Sequence, residues 1–286
     1  MKKLFSKLFM AGKWQVYLDD NGNKQVVVPA RGFWYADPFL FADKQKYIFV
    51  EAFRIKKEIG SIGYLKEEEN YKNLHLLINN NYHHSFPNVF RVNKQIYMIP
   101  ESGESHGIFL YKFDEFPEKL SLVKELIHGD FVDTALVSIE NSIGVFLSYK
   151  SKERELYQIT IDFNSLDVSY KLLLSDENKQ LRPAGNSFRY KGILVVPFQN
   201  CKNKYGESIL LKQVETNSGL VSVGKTFEMI DSLLFEKEMR ITRIHTLNHC
   251  EGNCSIYDFM VDKFSISKPF KMLRRILRRK RHKDNE

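Results

Sequence analysis

Short runs of alternating apolar and polar residues, separated by polar turns, extend along most of this sequence. The run Asp43–Glu51 returns fifty residues later as Asn93–Glu101, and each copy follows a proline-led strand, at Pro38–Phe41 and Pro87–Phe90. A strand, a short polar turn and a second strand form a β-hairpin. Further copies of this hairpin, progressively looser, are found at 134–149, 185–198 and 245–262.

Hairpins that recur with this period predict a β-propeller, because two hairpins make one four-stranded blade. We therefore predict an all-β fold, a five-bladed propeller over residues 30–263. It is preceded by an N-terminal segment, 1–29, and followed by a basic amphipathic tail, 264–286, expected to form a short helix. The alternative is a large β-sandwich, whose hairpins would look alike because hairpins in general do.

The composition favours β-strands, and the positive charge of the chain is concentrated in its last residues. Aromatic residues make up 13% of the chain, and aromatic side chains suit the pleated, half-buried surface of a sheet. The net charge is +8, but the segment 268–286 contains nine Lys or Arg residues against two acids. The rest of the chain is therefore nearly neutral. A nucleic-acid surface would need basic residues along one face of the body, so we expect no nucleic-acid partner.

The basic tail has the pattern of a helix that lies on a membrane. Phe270 and Leu273 fall on one helical face together with Ile276 and Leu277. Such a cationic amphipathic helix binds the headgroups of anionic lipids. The alternative is a solvated basic tail or one that binds nucleic acid. The cationic residues assigned to membrane binding, besides the apolar ones, are Arg274, Arg275, Arg278 and Arg279.

The expected location is the cytoplasm, with the protein peripheral on the inner face of the cell membrane. Three cysteines in 286 residues do not make a disulfide framework, which favours a reducing compartment. The N-terminal apolar run is interrupted by Lys7 and has no small-residue cleavage site, so it does not read as a signal peptide. The sequence also lacks a run of about 20 apolar residues that could span a membrane.

Charged or imidazole side chains stand where each predicted blade begins, and Glu101 stands at the end of a second strand. In a propeller these positions meet at one end of the axis, where burying charge without a purpose is costly. Carboxylates grouped in this way shift one another's pKa and so separate acid from base roles, as sugar chemistry requires. The alternative is that Asp37 and Asp133 only cap turns. The positions are Asp37, His84, Glu101, Asp133, Arg182 and His245.

The opening of the first blade, Trp34–Phe39, resembles that of five-bladed furanosidase-type glycosidases, of which family 43 is the best known. In that family an Asp of the first blade is the general base, a second Asp tunes the acid, and a Glu is the general acid. By motif Asp37 matches the base and Asp133 the tuning Asp. The fourth blade, where the Glu is expected, instead has Gly185, Asn186 and Ser187, which leaves Glu101 or Glu51 as available acids.

A second resemblance covers more of the chain. The matching segments are similar to the N-terminal domain of glucosamine inositolphosphorylceramide transferases, which also occurs in stand-alone bacterial proteins. The resemblance implies work on glycans under construction, such as capsule or lipopolysaccharide. In the plant proteins a separate transferase domain follows. The segments that carry the resemblance are His84–Pro87, Tyr97–Glu101, Asp133–Leu136, Arg182–Gly185, Pro197–Gln199 and Tyr205–Gly206.

Together these features predict a glycosyltransferase that joins an activated sugar donor to a glycan or lipid-linked acceptor. Asp37 is expected to deprotonate the acceptor hydroxyl, with Asp133 and Glu101 shaping its pKa, while Arg182 holds a phosphate or carboxylate of the donor. The alternatives are a glycosidase that uses the same carboxylates and a non-catalytic glycan-binding module that docks a partner transferase. The residues expected to bind sugar are Trp34, His84, Gln199, Tyr205 and His245.

No cofactor or metal is predicted. The sequence has neither a glycine-rich phosphate loop nor a D-x-D motif. His245, His249, Cys250 and Cys254 are residue types that bind zinc. However, the residues 251–253 read as a hairpin turn, which would place the two cysteines opposite each other without any metal.

Overall fold

The computed structural model describes residues 10–217, 219–231, 241–250 and 254–264. Within them the chain forms five antiparallel sheets, and the only helical pieces are two single 3₁₀ turns, at Glu67–Glu69 and Gly103–Ser105. The innermost strands of neighbouring sheets contact one another in sequence around a common axis. The prediction of an all-β, five-bladed propeller is confirmed, and the β-sandwich alternative is wrong. The predicted tail helix lies outside the described residues.

Each sheet is one blade, with its strands ordered from the axis outward. The first blade contains β3 (Phe33–Ala42), β4 (Lys46–Arg54), β5 (Ile59–Lys66) and β6 (His75–Ile78). The second contains β7 (Ser85–Val92), β8 (Gln95–Glu101), β9 (Gly107–Glu115) and β10 (Lys119–His128). The third contains β11 (Phe131–Glu140), β12 (Ile143–Lys150), β13 (Glu155–Asp162) and β14 (Asp167–Ser175).

The last two blades depart from this simple order. In the fourth, β15 (Arg182–Pro183) and β16 (Phe188–Tyr190) both pair with β17 (Ile193–Asn200), followed by β18 (Ser208–Asn217) and β19 (Leu220–Asp231). The fifth blade runs from β20 (Ile241–Cys250) through β21 (Cys254–Phe264) to β1 (Met10–Asp20) and β2 (Asn23–Val27). Both ends of the described chain therefore share one sheet.

The ring is closed by β1, which pairs with β21 along its whole length, from Met10↔Phe264 to Asp20↔Cys254. The propeller thus includes strands that precede the boundary at residue 30 expected from the sequence. The boundary at residue 30 was expected because the repeated hairpins start after it. The pairing of β1 with β21 joins distant segments and leaves no repeat in the sequence. A local signal did exist, since Asn21 and Gly22 adopt the positive φ angles of the Asn-Gly hairpin turn between β1 and β2.

The hydrophobic core is divided among the spaces between blades. Each of five clusters of buried apolar side chains joins two neighbouring sheets, as when Phe39 and Phe49 of the first blade meet Phe86 and Met98 of the second. The rings of Phe39 and Phe86 meet edge to face, with centroids 4.8 Å apart. Burial of this apolar area from water stabilises the fold, and the polar axis does not need to supply that stability.

A β-bulge near the start of the innermost strand recurs from blade to blade. The register shifts between Ala36 and Phe39, between Ser85 and Asn88, and between Val132 and Ala135. A corresponding shift in the fifth blade lies between Ile244 and Leu247. At the bulge, Asp37, Phe86 and Asp133 adopt positive φ angles of 47°, 47° and 50°. Bulges redirect side chains, and strained backbone of this kind is concentrated at functional sites.

Candidate functional site

The bulges of the first and fifth blades bring Asp37 against Asp258 and Thr246. The backbone N–H of Asp37 donates to Asp258 Oδ2 (2.9 Å), and the Thr246 hydroxyl donates to Asp37 Oδ1 (2.7 Å). These bonds join β3 to both strands at the inner edge of the fifth blade. The carboxylate of Asp37 is therefore fixed by groups that lie more than two hundred residues further along the chain.

His245 is held from two sides beside this carboxylate. Its Nδ1–H donates to Asp258 Oδ1 (2.7 Å), which also accepts the backbone N–H of Thr246 (3.0 Å). Its Nε2 lies 3.6 Å from Asp37 Oδ1. The ring stacks on Trp14 of β1, with centroids 3.7 Å apart and planes 7° apart. Asp258 is fully buried and accepts hydrogen bonds from all of these donors, so it orients the imidazole.

A second group of charges stands across the axis, around Arg182. Its Nε donates to Asp133 Oδ2, and its Nη2 lies 3.7 Å from Glu101 Oε2. Gln199 Nε2 also donates to Asp133 Oδ2 (3.2 Å). The guanidinium carbon lies over the ring of Tyr205, 5.7 Å from its centroid. Two acids and one guanidinium thus share a network, in which the cation offsets the burial of the carboxylates.

Tyr205 connects the two groups. Its ring makes T-shaped contacts with Trp14 and His245, with centroids 6.4 Å and 5.4 Å away. The guanidinium of Arg182 lies over its face. We call these residues the axial cluster. The structure therefore brings together most of the residues that the sequence predicted at this end of the propeller and adds three that it did not. The axial cluster consists of Trp14, Asp37, Glu101, Asp133, Arg182, Gln199, Tyr205, His245, Thr246 and Asp258.

The buried surroundings of the axial cluster shift the pKa of several of its titratable side chains. Burial raises the pKa of Asp37 to about 6, against the attraction of His245 and with the repulsion of Asp258 and Asp133. Burial, followed by the nearby Asp133 carboxylate, raises the pKa of Glu101 well above its usual range. Burial alone would lower the pKa of His245, but Asp258 and Asp37 outweigh it and raise that pKa. Buried groups whose pKa is shifted in this way are candidates for acid and base roles.

Trp34 and His84 are placed differently from the other predicted residues. Trp34 stacks on Phe53 of β4, with centroids 4.3 Å apart, at the border of the first and second blades. His84 is buried, with Nδ1 3.0 Å from Ser102 Oγ and Nε2 3.1 Å from Asn80 Oδ1. Since both ring nitrogens are engaged, a sugar could bind His84 only by displacing one of these partners.

Asn186 occupies the fourth-blade position where family 43 glycosidases would have a Glu, and it has a bracing role. Its Oδ1 accepts the N–H of Leu136 (2.7 Å), and its Nδ2 donates to Asn88 Oδ1 (2.9 Å). Asn248 continues the ring by accepting the N–H of Asn186 (2.9 Å) and donating to Pro38 O (2.9 Å). These amides tie the innermost strands together around the axis. Asn186 is therefore a structural residue of the axis and supplies no acid.

The histidine and cysteine residues of the fifth blade do not converge. His245 bonds to Asp258, whereas His249 Nδ1 lies 2.8 Å from Ser255 Oγ. Cys250 and Cys254 face each other across the hairpin, as the turn predicts. Among the described residues, the group close enough to hold a metal ion is Asp37, His245 and Asp258, whose ligand atoms lie within 4.8 Å of one another. A metal there would have to replace the His245–Asp258 hydrogen bond.

A small cavity of about 190 Å³ opens beside the axial cluster, between the third and fourth blades. Arg182, Cys201 and Tyr205 form its inner wall, and Arg154 and Lys179 stand at its rim. The residues assigned to membrane binding, Phe270, Leu273, Arg274, Arg275, Arg278 and Arg279, lie outside the described residues. Within the described part of the chain, no helix is long and apolar enough to span a membrane.

Comparison with known proteins places this chain in a sequence family. A family model described as "Glucosamine inositolphosphorylceramide transferase 1, N-terminal" matches residues 24–249. Glucosamine inositolphosphorylceramide transferase 1 of rice (Oryza sativa subsp. japonica) is 28% identical over 193 residues, covering 63% of this chain and 26% of the rice protein. The Arabidopsis thaliana protein is 26% identical over 196 residues, covering 64% and 26%. The chain thus corresponds to about a quarter of the length of these curated relatives.

Solved structures share the fold at much lower identity. A family 43 β-1,3-galactosidase has a TM-score of 0.52 and 13% identity, covering 89% of this chain and 60% of its own. A protein from Bacteroides ovatus solved as a candidate glycoside hydrolase has a TM-score of 0.52 and 11% identity, covering 86% and 96%. At this level of identity the likeness shows the propeller fold alone.

Proposed function

The chain belongs to the family of the N-terminal domain of glucosamine inositolphosphorylceramide transferase 1, and on that premise we propose that it is a carbohydrate-active enzyme of the glycosyltransferase type. It would move a sugar from an activated donor to a glycan or lipid-linked acceptor during assembly of cell-surface polysaccharide. The observation that carries the proposal is the placement of Asp37 between Thr246 and the His245–Asp258 pair at the end of the axis.

Asp37 is the proposed general base. A base works best when its pKa lies near the working pH, and burial raises the pKa of Asp37 to about 6. At neutral pH the carboxylate takes the proton of the acceptor hydroxyl while the oxygen attacks the anomeric carbon of the donor. The His245–Asp258 pair and Thr246 hold that carboxylate in one position, as a base must be held.

Arg182 is the proposed partner of the leaving group. As the new glycosidic bond forms, the bond from the anomeric carbon to the donor phosphate oxygen breaks, and the electron pair leaves with the phosphate. A guanidinium matches phosphate geometry and keeps its charge. Arg182 already contacts Asp133 and Glu101, so the phosphate would compete with these carboxylates. Glu101, whose pKa is raised, can give that oxygen a proton.

The name of the relatives guides the choice of substrates. It contains an aminosugar, glucosamine, and a phosphoinositol lipid, inositolphosphorylceramide. We therefore propose an activated hexosamine or a related sugar as donor and a lipid-linked sugar or polyol as acceptor. The basic residues between 268 and 283 support a peripheral place on an anionic membrane, at the cytoplasmic face, where a lipid-linked acceptor is found.

The test is a transfer assay with the purified full chain. It is incubated with membranes of its own host or with vesicles containing inositolphosphorylceramide, together with a panel of labelled nucleotide- and lipid-phosphate sugars. We expect label to enter the lipid or glycan fraction with wild type and not with Asp37→Asn. The matched control is Asp43→Asn, because Asp43 is a carboxylate directly after β3 that pairs with Arg91 on the surface.

Other outcomes of this assay identify the rivals. Release of free sugar from host polysaccharide, without an activated donor, would indicate a glycosidase in which water replaces the acceptor. Saturable glycan binding without transfer or hydrolysis would indicate a binding module that serves a partner transferase. Either result would contradict the proposed transfer reaction.

A further inference from the structure

Glu51 is a buried acid that the proposed reaction does not use. It lies in the second half of β4, opposite Ala36 and one blade before the equivalent Glu101. Only 5% of the residue is exposed, and its Oε1 has no hydrogen-bond partner. Buried polar atoms are almost always hydrogen-bonded, because leaving one unpaired costs free energy. The unpaired carboxyl oxygen is therefore available for a hydrogen bond with a ligand.

His83 faces the same oxygen from the solvent side. The backbone N–H of Gly60 donates to His83 Nδ1 (3.1 Å), so the neutral ring carries its proton on Nε2. That Nε2 lies 3.5 Å from Glu51 Oε1, close enough to share a ligand atom between them. The His83 side chain is 36% exposed, which opens this corner to solvent.

Two aromatic rings border the corner. Phe53 stands two residues after Glu51 on β4, and therefore on the same face of the sheet. Its ring meets the edge of His83 at 6.3 Å and stacks on Trp34 at 4.3 Å. Aromatic surface next to a few well-placed polar atoms is the usual make-up of a small-molecule site.

We propose that Glu51, Phe53, His83 and Trp34 form a binding subsite for a neutral sugar ring between the first and second blades. One ring hydroxyl supplies the hydrogen bond that Glu51 Oε1 lacks, beside the His83 ring, and the apolar face of the sugar lies against the Phe53–Trp34 pair. This subsite rests on the proposed function, because it holds part of a carbohydrate substrate beside the axial cluster.

The charge state of Glu51 defines the class of ligand. Burial, followed by the nearby Asp37, Glu101 and Asp258 carboxylates, raises the pKa of Glu51 well above its usual range. This burial favours the protonated carboxyl, which bonds to a neutral hydroxyl more readily than it pairs with an ammonium group. The subsite therefore suits an uncharged hexose or polyol better than an unsubstituted amino sugar.

The sequence contains two tryptophans, Trp14 and Trp34, which makes a direct binding test possible. Trp14→Phe keeps an aromatic ring against His245 and leaves Trp34 as the fluorescence reporter. This variant is titrated with methyl β-galactoside, myo-inositol and glucosamine. We expect a saturable change in Trp34 emission with the two neutral probes. In the same background, Glu51→Ala and His83→Ala should weaken binding about tenfold or more.

Three further variants complete the design. Gly60→Ala would place a methyl carbon 2.5 Å from His84 O and 2.6 Å from Glu51 Oε1, so it should distort this corner and abolish the titration. Glu140→Ala changes the exposed acid at the end of β11 and should leave the affinity unchanged. Urea unfolding of each variant separates lost binding from lost folding. His83→Gln, a substitution at a partly exposed position, keeps the test available if Glu51→Ala fails to fold.

The subsite is overturned if none of the three probes gives a saturable response. It is also overturned if glucosamine binds as tightly as the neutral probes, or if Glu51→Ala and His83→Ala bind like their parent. Its failure can be told apart from that of the proposed function. Transfer that depends on Asp37 with unchanged affinity in Glu51→Ala would refute the subsite alone. Probe binding that depends on Glu51 without any transfer would refute the reaction alone.

Discussion

The indole of Trp14 and the imidazole of His245 lie face to face, with centroids 3.7 Å apart and planes 7° apart. Trp14 belongs to β1, which closes the ring by pairing with β21, and His245 belongs to β20, the innermost strand of the same blade. Closure of the propeller and positioning of the histidine therefore depend on each other. A site assembled in this way forms only when the whole ring has formed.

Replacing Trp14 should affect stability and the site together. Trp14→Ala removes a buried ring from the closing blade and should lower the free energy of unfolding by about 3–5 kcal/mol. Trp14→Phe, which keeps part of the stack, should cost clearly less. Urea unfolding followed by far-UV circular dichroism measures both. A Trp14→Ala variant as stable as wild type would show that β1 is not needed for closure.

Asp37→Asn should stabilise the protein at neutral pH. Burial raises the pKa of Asp37 from 3.8 to about 6, so between these values the folded chain holds a proton that the unfolded chain has released. Stability contributed by this group therefore falls as pH rises through that window, and the full cost is present above about pH 6. Asparagine can still accept the Thr246 hydrogen bond.

The expected gain for Asp37→Asn is up to about 3 kcal/mol at pH 7, and it should disappear below about pH 4. Urea midpoints measured from pH 3.5 to pH 8 for wild type and variant check this. A gain that is constant across the range, or a loss at pH 7, would be incompatible with a carboxylate whose pKa is raised by burial.

Arg182 should be indispensable for the burial of its two acids. Arg182→Gln leaves Asp133 and Glu101 without their cation and should cost about 3–5 kcal/mol in the free energy of unfolding. Adding Asp133→Asn should restore part of that loss, because the two positions are directly coupled. The control is Arg91→Gln, which breaks an exposed pair with Asp43 and should cost at most about 1 kcal/mol. Equal losses in Arg182→Gln and Arg91→Gln would contradict the account.

Gly185 tests the junction between the fourth and fifth blades. It has a φ of +154°, and a Cβ there would lie 2.0 Å from Leu247 O and 2.8 Å from Asn248 Oδ1. Gly185→Ala should therefore cost about 3 kcal/mol or more. Gly192, with a φ of +82° and nothing within 4 Å of a Cβ, is the matched control, for which Ala should cost about 1–2 kcal/mol. Thermal unfolding compares the two, and similar losses would mean that the inter-blade contact is not tight.

The blades could be predicted from the sequence because hairpins are local and repeat. The closure by β1 and β2 could not be predicted in that way, since it pairs Met10–Asp20 with Cys254–Phe264 and has no counterpart in the hairpin copies. The Asn21–Gly22 turn indicates the hairpin of β1 and β2 but not its partner. Local patterns define a blade, whereas the pairing that closes the ring depends on the tertiary fold.

The candidate site likewise contains residues that could be predicted from the sequence and residues that could not. Asp37, Asp133 and Arg182 could be placed from the sequence because each stands where an innermost strand begins. Asp258 could not, since it lies on the second strand of the weakest hairpin copy and turns toward the axis opposite the bulge at His245 and Thr246. Trp14 precedes the repeats altogether. Glu51 could have been predicted as a site residue, because it occupies the same place in its hairpin as Glu101 does.

The most direct test of the central claim is the pH dependence of sugar transfer by the full chain. The initial rate of label transfer to the acceptor is measured from pH 5 to pH 8 for wild type, Asp37→Asn and Asp43→Asn. We expect the wild-type rate to rise with pH through about 6, as the Asp37 carboxylate forms, with Asp43→Asn matching it. Asp37→Asn should show a rate at least about a hundredfold lower at every pH, because removing a general base costs that much or more. Transfer by Asp37→Asn at the wild-type rate, with the same pH profile, would contradict the role of Asp37 as the base.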